Sequence, residues 1–161
     1  MVAWLEFEGS SAVIEYGPGT GVFTEAVLAR LPPHCRFFMI EVNPVFVEIL
    51  RSRFPGTKIY HDTVKSVREL CDREGVKEVD CVISGLPWAS FPSRMQTDFL
   101  EGMMTVLKPG GQFVTFAYLQ GLLLPPGRRF RRKLDEYFCE VSSSNTVWMN
   151  LPPAFVYRCR R

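Results

Sequence analysis

The sequence predicts an α/β fold: a mostly parallel, seven-stranded sheet with helices on both faces and an antiparallel hairpin at its C-terminal end. Three observations carry this. Short apolar runs alternate with longer, helix-like segments along most of the chain. The runs are too apolar for a sheet with one wet face, which favours parallel strands buried on both sides. The last two strand-like runs follow each other with no helix between them.

Each element has its own signal. SAVIEY (11–16) reads as a buried strand, and TGVFTEAVLARL (20–31) carries a helical apolar stripe that ends at PPH. RFFMIEV (36–42) is a second strand. In 43–54, Asn43 is a helix cap and Pro44 suits a first helical position. TKIYHD (57–62) is a third strand, and 63–75 a helix closed by Gly75. VDCVISGLP (79–87) is a fourth strand running into a loop. Residues 93–107 form a helix stopped by KPGG, and QFVTFAY (112–118) is the fifth strand. Residues 127–138 look helical, and 138–150 with 154–160 form the closing hairpin.

With 161 residues the chain is the size of one domain, expected to span 1–161. A net charge of +2 gives no global field that selects nucleic acid, so any basic bias is local. Five cysteines without CxxC or metal spacing suggest reduced thiols and a cytosolic setting. His34 and His61 do not pair as metal ligands, and no metal is expected. No apolar run approaches membrane-spanning length, and the N-terminus lacks the pattern of a signal peptide.

The chemistry concentrates at IEYGPGTG, Ile14 to Gly21. In an open α/β sheet, ligands bind beyond the carboxyl ends of the strands, where strand order reverses. Gly17, Gly19 and Gly21 sit at the end of the first strand and keep the backbone bare for a ligand. A tight turn without a ligand would use the same glycines. A dinucleotide fingerprint is GxGxxG, whereas here the third glycine comes one residue early. Glu15 would also repel a pyrophosphate. A cationic ligand suits it better, and S-adenosylmethionine carries both a sulfonium and an ammonium group.

EYGPGTG resembles the first motif of class I S-adenosylmethionine-dependent methyltransferases, and FMIEVNP and YHDTV resemble the second and third. The resemblance implies a Rossmann-like fold and the cofactor S-adenosylmethionine. It implies that Glu15 lies near the cofactor's ammonium group through water, with Tyr16 and the three glycines around the methionine portion. Glu41 would take the ribose hydroxyls with Val42 beside it, and Asp62 the adenine amine with Thr63 beside it. Asp62 would serve equally as a helix cap.

The loop ISGLPWASFP (83–92) stands where this superfamily faces the transferable methyl. Ser84, Leu86, Pro87 and Trp88 are the expected acceptor-loop residues, Ser84 also touching the cofactor, and Tyr118 after the fifth strand would orient the acceptor, as would Tyr157. Trp88 would hold a methylammonium by cation–π attraction, or be ordinary core. SGLPW and TFAY resemble bacterial phospholipid N-methyltransferases, over Ser11 to Arg161. That implies N-methylation of a phosphatidylethanolamine-type amine. The related rRNA adenine dimethyltransferases carry an amide where this chain has Ser84, which argues against adenine as acceptor. An RNA or small-molecule methyltransferase and a non-catalytic cofactor-binding module are the alternatives. Lipid enzymes of this kind carry an amphipathic segment before strand one; here MVAWLEFEGS precedes it.

Arg128, Arg129, Arg131, Arg132 and Lys133 lie on an amphipathic segment, with Phe130, Leu134, Tyr137 and Phe138 on its apolar stripe. The cluster suits peripheral contact with an anionic membrane at its inner face, phosphates of RNA less so, or simply a solvated helix surface.

Overall fold

The structure, a computed structural model, describes residues 4–161. Strands β1 (Ala12–Tyr16), β2 (Arg36–Glu41), β3 (Lys58–His61), β4 (Val79–Ser84), β5 (Leu107–Tyr118), β6 (Glu140–Ser143) and β7 (Ala154–Arg160) form one sheet. Their order is β3-β2-β1-β4-β5-β7-β6, with β7 antiparallel to both neighbours and β1 to β5 parallel. Strand order therefore reverses between β1 and β4, and the carboxyl ends of both strands flank the glycine turn.

Helices α1 (Thr24–Leu28), α2 (Pro44–Arg53), α3 (Val67–Arg73), α4 (Ser93–Met104) and α5 (Pro125–Tyr137) link the strands. One face of the sheet packs Ile14, Tyr16, Phe38, Val82 and Phe113 against α3, α4 and α5. The other packs Val13, Cys81, Ile83 and Val114 against Val27 of α1 and against Leu5 and Phe7. Leu5 and Phe7, ahead of β1, thus bury their side chains on the sheet.

The α1 helix is shorter than the 20–31 that its stripe predicts, because Gly19 and Gly21 adopt left-handed φ values of 59° and 82° that a right-handed helix does not accept. The α2 start is as expected: Asn43 Oδ1 accepts from Val45 N at 2.9 Å, and Pro44 takes the first turn. The 63–75 helix splits into a 3₁₀ turn, Val64–Ser66, followed by α3. The KPGG stretch does not delay β5, which starts at Leu107 and crosses it with a register shift. The 138–150 strand shrinks to β6, and residues 144–153 form a loop leading to β7. Among the described residues no helix is long and apolar enough to cross a membrane, no cluster of ligating side chains is placed for a metal, and all five cysteines are free thiols.

Candidate active site

The glycine turn leaves the end of β1 and is tied to its neighbour: Gly17 N donates to Ile40 O at 2.9 Å. Gly17, Gly19 and Gly21 all have positive φ, but their surroundings differ. A Cβ on Gly17 would lie 2.5 Å from Leu86 Cδ2, and one on Gly21 would lie 2.4 Å from Phe54 Cε2. Those two glycines make room for protein. A Cβ on Gly19 meets nothing within 4 Å, so that position alone faces open space. Room for a ligand, expected at all three, is thus found at Gly19; the other two hold the turn against Leu86 and Phe54.

Glu41 ends β2 beneath this turn. Its Oε2 accepts from Gly19 N at 3.1 Å and its Oε1 from Asn43 N at 2.9 Å. The carboxylate keeps spare lone pairs for further donors. Val42, next along, is exposed, and its carbonyl contacts His61 Nε2 at 3.1 Å. Asp62 N donates to Glu41 O, which brings the ends of β2 and β3 together. Asp62 Oδ1 accepts from Thr63 N and Ser66 Oγ, while the cap of the 3₁₀ turn is Thr63, whose Oγ1 accepts from Lys65 N at 3.4 Å; the helix-capping role open to Asp62 thus falls to its neighbour.

Glu15 is fully buried on the α1 face of the sheet. Its Oε2 accepts from Thr24 Oγ1 at 2.8 Å, while Oε1 is buried with no partner. Burial raises its carboxyl to about 7, with the Thr24 hydrogen bond opposing. Thr24 was not anticipated, although a threonine opening the helix after a glycine turn is a readable signal. Tyr16 points the other way, into the core, where its hydroxyl is buried without a partner and burial holds it well above its ordinary range.

The 83–92 loop, expected to face the acceptor, lies directly against the turn. Gly85 N donates to Tyr16 O at 2.8 Å, and a Cβ on Gly85 would come within 2.3 Å of Gly17 O. Gly85 was missed in the sequence because its need is set by a turn that lies far away along the chain. Ser84 is buried and its Oγ accepts from Trp88 Nε1 at 3.0 Å and Leu86 N at 3.3 Å. Trp88 is 2% exposed and stacks on Phe130 with centroids 4.6 Å apart. An open cation–π platform is therefore not what Trp88 provides; its indole pins the loop, and Gln96 Nε2 fixes the Trp88 carbonyl from α4 at 2.8 Å.

Beside the loop opens a cavity of about 160 Å³, between residues 87–90, the carboxyl end of β5, the 3₁₀ turn Leu119–Leu123 and the start of α5. Trp88, Phe116, Tyr118, Leu122, Phe130 and Tyr157 contribute to its wall, and no charged side chain lines it. Tyr118 and Tyr157 thus meet at one cavity, next to Pro87. The basic cluster is divided: Arg131 pairs with Asp135 and lies over the Tyr157 ring, Lys133 Nζ bonds Ser93 O and Thr97 Oγ1 of α4, and Arg128 and Arg132 stay exposed. A five-residue basic face is thereby reduced: Arg131 and Lys133 are engaged in the fold, Arg128 Nε donates to Leu122 O at 3.0 Å, and Arg129 Nε is buried.

The donor and acceptor set fits S-adenosylmethionine on three observations: an unpartnered carboxyl oxygen on Glu15, a bare backbone position at Gly19, and a strand-end carboxylate at Glu41. Together with the switch-point location these define a nucleotide-cofactor site of the Rossmann-like kind. A family model for a methyltransferase domain matches residues 13–111. An ornithine lipid N-methyltransferase of Singulisphaera acidiphila is 32% identical over 159 residues, covering 97% of this chain and 79% of that protein. Among solved structures, the CurJ carbon methyltransferase aligns with a TM-score of 0.70 at 17% identity, over 99% of this chain and 50% of that one. An O-methyltransferase from Bacillus cereus, in complex with SAH, aligns at 0.73 and 14% identity, over 96% and 76%. This chain spans half the length of the CurJ enzyme. The chain belongs to the methyltransferase-domain family, and is an S-adenosylmethionine-dependent methyltransferase of the class I fold.

Proposed function

We propose that the protein methylates the primary amine of a membrane amino-lipid, with residues 1–161 acting as one catalytic domain. The observation that carries this is an uncharged, aromatic-rich cavity adjoining the acceptor loop. The similarity to an ornithine lipid N-methyltransferase supports the same acceptor class. Phosphatidylethanolamine and ornithine lipids both offer a primary amine, and the cavity wall discriminates neither.

When bound, S-adenosylmethionine supplies an electrophilic methyl group on a sulfonium sulfur. The protein's part is alignment of amine and methyl. Gly19 leaves the turn open for the methionine portion, with Gly17 and Gly21 keeping its shape. Glu15 faces the ammonium group through water and Glu41 takes the ribose hydroxyls, beside Val42. Asp62 and Thr63 receive the adenine edge, and Ser84 sets the loop near the cofactor. Leu86 and Pro87 shape the path to the acceptor, and Trp88 anchors them. Tyr118 and Tyr157 orient the amine. Burial, opposed by Arg131, pushes the Tyr157 hydroxyl up to about 12, so it stays a protonated donor at neutral pH. An amine attacks only when unprotonated. The proton it loses passes to solvent. Arg128 and Arg132 give peripheral contact with anionic lipid at the inner face of the membrane.

The test is calorimetry of S-adenosylmethionine with and without vesicles containing phosphatidylethanolamine or ornithine lipid, following labelled methyl into the lipid amine. Binding with transfer to either lipid is expected. Binding with transfer only to RNA or a soluble amine would overturn the lipid reading.

A further inference from the structure

We infer that the cavity beside the acceptor loop is an acyl-chain subsite: it takes the hydrocarbon of the lipid acceptor while the amine turns toward the glycine turn. The inference rests on the lipid reading above and names what fills the cavity.

Three observations support it. The wall carries no charged group and is mostly aromatic and aliphatic (Trp88, Phe116, Ala117, Leu122, Leu124, Phe130), its polar side chains being Ser90, Gln120 and the two tyrosines, so apolar surface dominates what an occupant meets. At about 160 Å³ the space matches apolar cavities of about 150 Å³ that bind benzene, enough for several carbons. The wall also continues into an exposed apolar edge. Leu124 belongs to both, and Leu119 N donates to Pro153 O at 2.8 Å, joining this turn to the loop before β7. That loop exposes Trp148 (69%), Met149 (96%) and Leu151 (91%), and the turn itself exposes Leu123 (74%). Exposed apolar side chains on a loop hydrogen-bonded to the cavity's own turn suit a bilayer surface better than water. The exposed Arg128 and Arg132 on α5 add the charge that draws such an edge to anionic lipid. A chain entering past Leu124 meets Leu122, Phe130 and Trp88 in the wall.

The experiment has two arms. Monomeric N-acyl-ornithines from butanoyl to octanoyl serve as acceptors. Each methylene that enters should raise kcat/KM about fourfold, the ~0.8 kcal/mol of burying one CH2 at 1.4 kcal/mol per tenfold. In Ala117→Leu, which narrows the cavity, the series should flatten relative to its own shortest member. Leu122→Asp, which puts a charge in the wall, should flatten it as well, so the test survives if one variant fails to fold. The second arm reads binding without turnover. In Trp4→Phe/Trp148→Phe, Trp88 is the remaining tryptophan, and N-octanoyl-ornithine brominated at its terminal carbon should quench its fluorescence at least twofold. Quenching without methyl transfer would keep the subsite and sink the lipid-methylation reading. Methyl transfer with no quenching and no chain-length dependence would do the reverse, and overturn the subsite.

Discussion

Two buried carboxylates on neighbouring strands, Asp80 and Glu15, show how the two ends of this sheet differ. Asp80 lies at the amino end of β4. Its Oδ2 accepts from Ser11 N at 2.7 Å, Ser11 Oγ at 3.0 Å and Ala12 N at 2.9 Å, and its Oδ1 pairs with Lys108. Burial works against its charge, yet Lys108 and those donors hold its carboxyl below the usual range. Glu15 lies at the carboxyl end of β1 with one donor, Thr24, and one bare oxygen, and is held near 7. A structural carboxylate is saturated by its own chain. A carboxylate short of donors, next to a glycine turn, has an oxygen left for a ligand, which is the role proposed for Glu15.

The sharpest break of this contrast is Asp80→Ala. It strands two backbone N–H groups and a lysine, so stability should fall by about 3 kcal/mol, or roughly 10 °C in melting temperature. Affinity for S-adenosylmethionine, measured by calorimetry on the folded fraction, should stay within about twofold. Loss of both together would mean the two ends are not separable.

Glu15→Gln should act in the opposite direction. The raised carboxyl means that folding favours the protonated form. Glu15's contribution to stability is therefore complete below pH 4.5, declines as pH rises to about 7 and is flat above. The glutamine variant should match wild type near pH 4 and gain up to about 3 kcal/mol above pH 7, read from urea unfolding at several pH values. The same change should weaken S-adenosylmethionine binding. A variant that is stabler and binds as well would remove Glu15 from the site.

Gly85→Ala comes next. Its new methyl presses on the Gly17 carbonyl, so the loop and turn must part, and turnover should fall at least tenfold with a smaller loss of stability. The smallest effect belongs to the exposed charges. Arg128→Gln and Arg132→Gln should each weaken binding to anionic vesicles by at most about 1 kcal/mol, in flotation assays at low salt. Lys133→Met should instead lower stability, since its ammonium is tied to Ser93 and Thr97.

Local chemistry was readable in the sequence wherever it was decided locally. The alternation of strands and helices, the Asn43–Pro44 start of α2, the glycine turn and the carboxylate at the end of β2 all follow from neighbours in the chain. What escaped was set by contacts between distant segments. Gly85 is glycine because of Gly17, and Gly21 because of Phe54. The same holds for Trp88, which is sealed by Phe130 some forty residues on, and for Lys133, which points into α4. Asp80 reads as a strand residue; its donors are Ser11 and Ala12 at the start of β1 and Lys108 of β5, all distant in the chain. Even the early start of the glycine-rich spacing, legible as a motif, did not reveal that only Gly19 faces open space.

The most direct test of the central claim is the proton balance of cofactor binding. Calorimetry of S-adenosylmethionine at pH 6.5 to 7, in buffers of different ionisation enthalpy, reports protons released on binding. If Glu15 waits protonated for a cationic partner, wild type should release a large fraction of one proton, and Glu15→Gln should release less by that amount. Identical proton release in the two proteins would contradict the account, and leave Glu15 a buried acid with no part in the site.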